Sequence, residues 1–163
     1  MRVAGFVEES IVDGPGVRFV VFAQGCPHQC PGCHNPLTWD LEGGKDATIK
    51  EIIRMIKKKR KNIRGITLSG GEPFLQAPEM VLLAQKAREI GLDVVTYTGY
   101  TYEELQQLDL PGVQELLDAS DILVDGPFLI EQRDISLSFR GSINQRVIDL
   151  AGTKATGKLV LIA

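Results

Sequence analysis

No stretch of this sequence approaches the ~18 uncharged apolar residues that a membrane-spanning helix requires, so no membrane partner is expected. Charge of one sign does not dominate either. The net charge is −3, which gives no electrostatic reason to expect nucleic acid or an anionic bilayer. Met1 to Glu9 hold no long apolar segment, which points away from a secretory leader and toward the cytoplasm. Internal repeats, low-complexity tracts and a linker are missing, so the expectation is one domain spanning 1–163. Cysteine is scarce, and all three fall in one short stretch. That pattern argues against a secreted disulfide framework and favours a metal or cluster site in a reducing compartment.

What is present is an alternation of strand and helix patterns. Residues 2–7 suggest a first strand, followed by a polar loop from Glu8 to Gly16 whose Asp13-Gly14-Pro15-Gly16 is dense in turn formers. Val17 to Ala23, β-branched and aromatic almost throughout, reads as a buried strand that delivers the chain into Gly25 and the cysteine loop. A helix is predicted over Thr48–Lys61, with Thr48 and Glu51 as a capping box and Ile49, Ile52, Ile53 and Ile56 at helical spacing. The basic run Lys57 to Lys61 closes it where cations offset the negative end of the helix dipole; docking onto an acidic partner is the alternative.

A strand over Gly65–Ser69 then runs into Gly70-Gly71-Glu72-Pro73, and a helix follows over Pro78–Ile90. Leu92–Thr98 is the next strand, Thr101 with Glu104 opens helical segments reaching Ala119, and Asp121–Asp125 is a strand before Gly126-Pro127. Past Gln132 the pattern weakens to a polar loop, Arg140–Arg146, and short strands at Val147–Leu150 and Lys158–Ile162. Some four βαβ units, roughly counted, imply an α/β fold with a mainly parallel sheet. An eight-unit barrel takes about 250 residues, so the consistent architecture is an open partial (β/α) barrel. The cysteine loop, Ser69–Pro73, Thr98–Tyr100 and Asp125–Pro127 all follow strand ends. In a parallel sheet those ends share one edge, so the four stretches are expected to meet at one site.

Cys26, Cys30 and Cys33 are spaced Cys-x3-Cys-x2-Cys, close enough for their thiolates to face one inorganic centre with a coordination position left over. A structural zinc ion wants four protein ligands, and only His28 or His34, both in the same short loop, can complete its shell. An electron-carrying iron–sulfur cluster generally takes four cysteines, one more than the chain has. A 4Fe–4S cube held by three thiolates instead leaves one iron open as a Lewis-acidic docking point for a small chelating molecule.

Cys-x3-Cys-x2-Cys after an early strand, with Gly70-Gly71-Glu72-Pro73 after the next unit, resembles the radical S-adenosylmethionine superfamily. Asp13-Gly14-Pro15-Gly16-Val17-Arg18-Phe19 and Cys33-His34-Asn35-Pro36 with Trp39 resemble its glycyl-radical-enzyme activating proteins. The chain length, Tyr97-Thr98-Gly99-Tyr100, Leu123-Val124-Asp125-Gly126-Pro127-Phe128 and Arg140-Gly141-Ser142-x-Asn144-Gln145 are similar to the short branch that serves anaerobic ribonucleoside-triphosphate reductase. His34 is shared with the longer pyruvate formate-lyase branch, whose extra barrel units and N-terminal insertion are lacking here.

The resemblance implies Cys26, Cys30 and Cys33 as ligands of a 4Fe–4S cluster with one open iron, and S-adenosylmethionine as cofactor. It further implies cofactor contacts at Gly32, Cys33, His34, Gly70, Gly71, Glu72 and Asp125. In the Gly-Gly-Glu segment, two glycines let the backbone approach closely, and carbonyls with an acid supply the acceptors that the methionine ammonium needs. The implied activity is reductive cleavage of S-adenosylmethionine and hydrogen abstraction from a glycine on a loop of the reductase. An open barrel suits such a macromolecular substrate, and the electron would come from a low-potential donor such as flavodoxin or ferredoxin.

The remaining candidates divide between chemistry and scaffolding. His28 reads as facing solvent or supporting a ligand from behind rather than as a ligand. His34 is a cofactor contact or an ordinary loop histidine, and Asp125 a cofactor or cation contact or a turn former. Arg140, Asn144 and Gln145 bind cofactor or partner, or else tie their own loop together. Trp39 is expected to pack under the cysteine loop, and one of Tyr97 and Tyr100 to lie in the core.

Overall fold

A computed structural model describes residues 1–163. In chain order it contains β1 (Arg2–Ser10), β2 (Arg18–Ala23), β3 (Lys45–Asp46), α1 (Ile49–Lys59), β4 (Gly65–Gly70), α2 (Ala77–Glu89), β5 (Asp93–Tyr97), α3 (Tyr102–Gln107), α4 (Val113–Ala119), β6 (Ile122–Asp125), β7 (Arg146–Asp149) and α5 (Leu150–Thr156). The strands form one mixed sheet, open at both margins, in the order β3-β1-β2-β4-β5-β6-β7. β2, β4, β5 and β6 run parallel, in a register that sets Val20 beside Thr67 and Phe22 beside Ser69.

The expected mainly parallel sheet needs correcting at its margins, where β1, β3 and β7 all pair antiparallel. For β1 the physical cause is connection length. A short loop joins β1 to β2 and can only reverse the chain, whereas parallel neighbours need a crossover. The irregular segment 126–145 joins β6 to β7 without a helical crossover. The α/β alternation therefore amounts to three crossover units, β2-α1-β4, β4-α2-β5 and β5-α3-α4-β6.

The two faces of the sheet differ because side chains alternate along each strand. Phe19, Val21, Ala23, Ile66, Leu68, Val94 and Leu123 point to one face and join the helices in the main core. The other face carries a small cluster of Val95, Val124 and Val147, flanked by Tyr97 and Ile122. Helix α1 shows how the first core is built. Thr48 Oγ1 accepts the Glu51 N–H at 3.1 Å, and Ile52, Ile53 and Ile56 are buried on one side while Lys57, Lys58 and Lys59 occupy the last turn. Burying each isoleucine stabilises the fold by about 1.5–3 kcal/mol. At Thr101 and Glu104 both halves of the capping box form, at 3.1 and 3.0 Å.

Two further expectations change. β1 continues to Ser10 through residues read as loop, because pairing with β2 extends to Ser10↔Arg18. The helical segments expected up to Ala119 form as two helices, separated at residues 108–112. The C-terminal Lys158–Ile162 is not a regular strand; it lies beside β7 through Asp149 N–H to Val160 O at 2.9 Å and a lone bridge, Ile148↔Leu161. Helix α5, absent from the sequence reading, separates it from β7, and Asp149 caps that helix by accepting the Gly152 N–H at 3.0 Å. No helix is long and apolar enough to cross a membrane.

Candidate functional site

The loops after β2, β4, β5 and β6 meet at the carboxyl edge of the parallel strands, around a cavity of about 490 Å³. Cys26, Cys30 and Cys33 line it together with Ser69, Gly70, Gly71, Thr98, Gly99 and Gly126. Volume and position are those of a small-molecule site at the ligand-binding edge of a parallel sheet.

The stem of the cysteine loop is welded to the Gly-Gly-Glu turn by backbone bonds. Gly71 N–H donates to Ala23 O at 2.8 Å, and Glu72 N–H to Gly25 O at 2.7 Å. Gly25 and Cys26 in turn donate to Thr38 O and Trp39 O at 2.6 and 3.2 Å. A Cβ on Gly71 would collide with the Gly25 carbonyl. The close approach that demands glycine here is thus chain against chain, where the sequence suggested chain against cofactor.

The three thiols are free and half-buried. Burial pushes the Cys26 thiol up, with Glu72 adding to the effect and the backbone N–H groups of His28 and Gln29 opposing it. Cys33 Sγ accepts the Asn35 N–H at 3.5 Å. His34 is exposed on the cavity rim, its ring 5.4 Å from that of Phe128. Gly32 is exposed at φ +77° between Cys30 and Cys33 and does not line the cavity.

Glu72 and Asp125 both bind partners within the chain. Neither carboxylate is on the cavity wall. Glu72 is fully buried and takes the Thr98 hydroxyl at 2.9 Å, the Gly99 N–H at 2.9 Å and His28 Nε2 at 2.6 Å on Oε1, with the Phe74 N–H at 3.1 Å on Oε2. Asp125, 1% exposed, holds Arg146 Nε at 3.0 Å and Nη2 at 2.5 Å, and accepts the Tyr102 N–H at 2.7 Å. Both acids satisfy their lone pairs within the chain because a buried carboxylate left unpaired would be costly. Asp125 and Glu103 together push the Arg146 guanidinium further up.

Arg140, Asn144 and Gln145 mostly bind their own loop. Arg140 Nη1 donates to Gln145 O at 2.7 Å, Asn144 Nδ2 to Pro127 O at 2.8 Å, and Gln145 Nε2 to Gly126 O at 3.0 Å. Tyr97 lies against the inner cluster and donates its hydroxyl to Phe139 O at 2.5 Å; Tyr100 packs at the edge of the main core. Trp39 lies half-buried on the cavity wall.

Sequence reasoning passed over Arg18. It is fully buried, and its guanidinium donates to Thr67 Oγ1 at 2.8 Å, Pro15 O at 2.8 Å and Ile66 O at 2.7 Å, and pairs with Asp93 at 2.5 Å. Burial pulls its pKa down, Asp93 opposing. Through Thr67, which donates to Asp13 O at 2.7 Å, this cation folds the Asp13–Gly16 loop beneath the inner face, so that Val12 and Asp13 reach the cavity. The signal available was an arginine inside an otherwise apolar strand.

The donor set can be tested against the two inorganic centres. No three of the histidines, cysteines and acids are gathered tightly enough to hold a single metal ion. That gives no support to a zinc ion, which draws four ligands into one tetrahedron, whereas a 4Fe–4S cube takes its thiolates on separate irons. His28 is already bonded to Glu72. Two donors, Trp39 Nε1 and Arg140 Nε, belong to cavity-lining side chains and are buried with no acceptor. The residues fit a cluster with three protein ligands beside a small polar molecule.

Comparison with known proteins agrees with that chemistry. The family model described as "4Fe-4S single cluster domain" matches residues 12–148. The anaerobic ribonucleoside-triphosphate reductase-activating protein of Salmonella typhimurium is 37% identical over 154 residues, covering 90% of this chain and 97% of that protein. The protein of the same name from Vibrio cholerae is 41% identical over 142 residues, 83% of this chain and 89% of that one. The pyruvate formate-lyase-activating enzyme of Clostridium pasteurianum is 34% identical over 130 residues, 77% of this chain but 55% of that enzyme. This chain belongs to the 4Fe-4S single-cluster domain family and, within it, to the family of anaerobic ribonucleoside-triphosphate reductase-activating proteins.

Proposed function

We propose that the chain is a cytoplasmic radical S-adenosylmethionine activase that places a glycyl radical on anaerobic ribonucleoside-triphosphate reductase. The observation that carries this reading is the meeting of three thiols and the Gly70-Gly71 backbone on one cavity, in a chain with no fourth cysteine. Cys26, Cys30 and Cys33 would hold three irons of a 4Fe–4S cluster, leaving the fourth to S-adenosylmethionine. Bound together, the two groups supply one-electron reductive cleavage of the cofactor and the hydrogen-abstracting power that makes a glycyl radical.

The chain's own tasks are to hold, orient and shield. The Ser69–Gly71 backbone, which lines the cavity, would supply carbonyls to the methionine ammonium, and the unpartnered N–H groups of Trp39 and Arg140 would suit the acceptor oxygens of the same molecule. Phe22, Phe128 and Phe139 line the cavity with apolar surface that excludes water. The 1–163 unit acts as a single radical S-adenosylmethionine domain whose sheet is a partial (β/α) barrel, open to admit the glycine-bearing loop. A low-potential flavodoxin- or ferredoxin-type donor supplies the electron.

Anaerobic reconstitution with iron and sulfide, followed by reduction in the presence of S-adenosylmethionine, is expected to release 5′-deoxyadenosine. Adding the reductase is expected to produce a glycyl radical signal in electron paramagnetic resonance. Retention of zinc with no 5′-deoxyadenosine would exclude the enzyme reading. A radical on pyruvate formate-lyase and none on the reductase would reassign the partner.

A further inference from the structure

His28 stands between two of the cysteines in the chain and lines the same cavity as they do. Its Nε2 lies 2.6 Å from Glu72 Oε1, its ring meets Tyr100 edge-on at 4.5 Å between centroids, and its side chain is 16% exposed. Gly99 leaves the room for it. A Cβ there would fall 2.5 Å from His28 Cδ2 and 2.7 Å from Nε2, and the three nearest atoms all belong to that ring. Glu72 also collects Thr98, Gly99 and Phe74, so one carboxylate joins the cysteine loop, the Gly-Gly-Glu turn and the end of β5. A carboxylate has about four acceptor sites, and these partners fill them.

We propose that His28 is a positioning residue that fastens the cysteine loop to the Glu72 carboxylate, and that Glu72 is the hub of this joint. Because the acceptor is a carboxylate, Nε2–H donates. The joint sets the distance between the thiolates and the Ser69–Gly71 backbone, so it governs how the amino and carboxylate groups of one amino-acid-bearing molecule span both. The proposal rests on the activase reading for its ligand and on the ligand-free geometry for the joint itself.

Two kinds of measurement separate those dependences. In the reconstituted chain, His28→Ala is expected to weaken S-adenosylmethionine affinity by about tenfold, the equivalent of one hydrogen bond to a charged group. It should also blunt the change that the cofactor causes in the cluster's electron paramagnetic resonance spectrum. His28→Gln, whose amide N–H can reach the same acceptor, should stay within about threefold of wild type. Gly99→Ala, which leaves the imidazole in the chain but pushes its Nε2 edge away from Glu72, should reproduce the His28→Ala loss, and the double variant should be no worse than either single one.

In the metal-free, ligand-free chain, denaturant unfolding should show the same non-additivity between the two substitutions. An affinity unchanged in His28→Ala, a His28→Gln chain as impaired as His28→Ala, or additive losses in the double variant would overturn the joint. A wild-type chain that makes no 5′-deoxyadenosine would defeat the activase reading, and the ligand-free unfolding would still decide the joint.

Discussion

The two faces of the central sheet put the same alternation of side chains to opposite uses. On the helix-covered face, Phe19, Val21, Ile66, Leu68 and Val94 interlock with Ile52, Ile56, Met80 and Leu83 in one dry core. On the inner face, the next residues along the same strands include Arg18, Thr67, Phe22, Ser69 and Tyr97, which either anchor loops or line the cavity. One face depends on filling volume, and volume tolerates many apolar solutions. The other depends on hydrogen-bond geometry, which does not. Substitutions on the first should therefore change stability with little change in chemistry, and substitutions at the inner edge should do the reverse.

The sharpest break in that comparison is at the cysteines. Replacing Cys26, Cys30 or Cys33 by Ala should reduce 5′-deoxyadenosine formation at least about a thousandfold, since metal uptake depends on each ligand. The unfolding midpoint of the metal-free chain should barely move. Near-normal turnover in any one variant would remove that cysteine from the ligand set. On the opposite face, Ile56→Ala should cost about 2–5 kcal/mol in denaturant unfolding. Its kcat, measured well below the melting range, should stay at the wild-type value.

Arg18 links the two behaviours, because a buried cation serves a loop on the cavity side. Arg18→Met should cost about 3 kcal/mol in stability by stripping hydrogen bonds to a charged group. It should also raise KM for S-adenosylmethionine as the Asp13–Gly16 loop loosens; an unchanged KM would separate the loop from the site. Tyr97 gives the smallest effect. Burial pushes its phenol well up, with Asp13 adding and Arg18 opposing. The folded chain therefore keeps the proton beyond about pH 10, where the unfolded chain releases it. The resulting stabilisation is whole below that pH and is lost as pH rises further. Tyr97→Phe should cost about 1 kcal/mol at neutral pH and flatten the alkaline fall in unfolding free energy, measured by urea titration across that range.

Much of the scaffold was legible because it is local. The isoleucine stripe and Thr48 cap of α1, the Thr101 capping box, and the strand-then-turn order that brings four loops to one edge all depend on neighbours in the chain. The antiparallel margins were less legible, since the direction of β7 depends on how the loop 126–145 folds back. So was helix α5, whose cap is a single aspartate after an apolar pair. Within the site, residue types were readable but their partners were not. Glu72 and Asp125 stood in the right loops, yet burial against His28 and Arg146 gave both carboxylates to the chain itself.

By itself the sequence determined that three thiols lie in one loop at the end of a buried strand, with two glycines and an acid at the end of the next. Those facts rest on covalent order and on side-chain period. Only the tertiary structure decided that Gly71 faces the Gly25 carbonyl, that Gly99 leaves space for the His28 ring, and that the Glu72 carboxylate joins three segments. Hydrogen bonds between residues distant in the chain are chosen by the whole packing, because a buried polar group must find whichever partner the fold brings within reach.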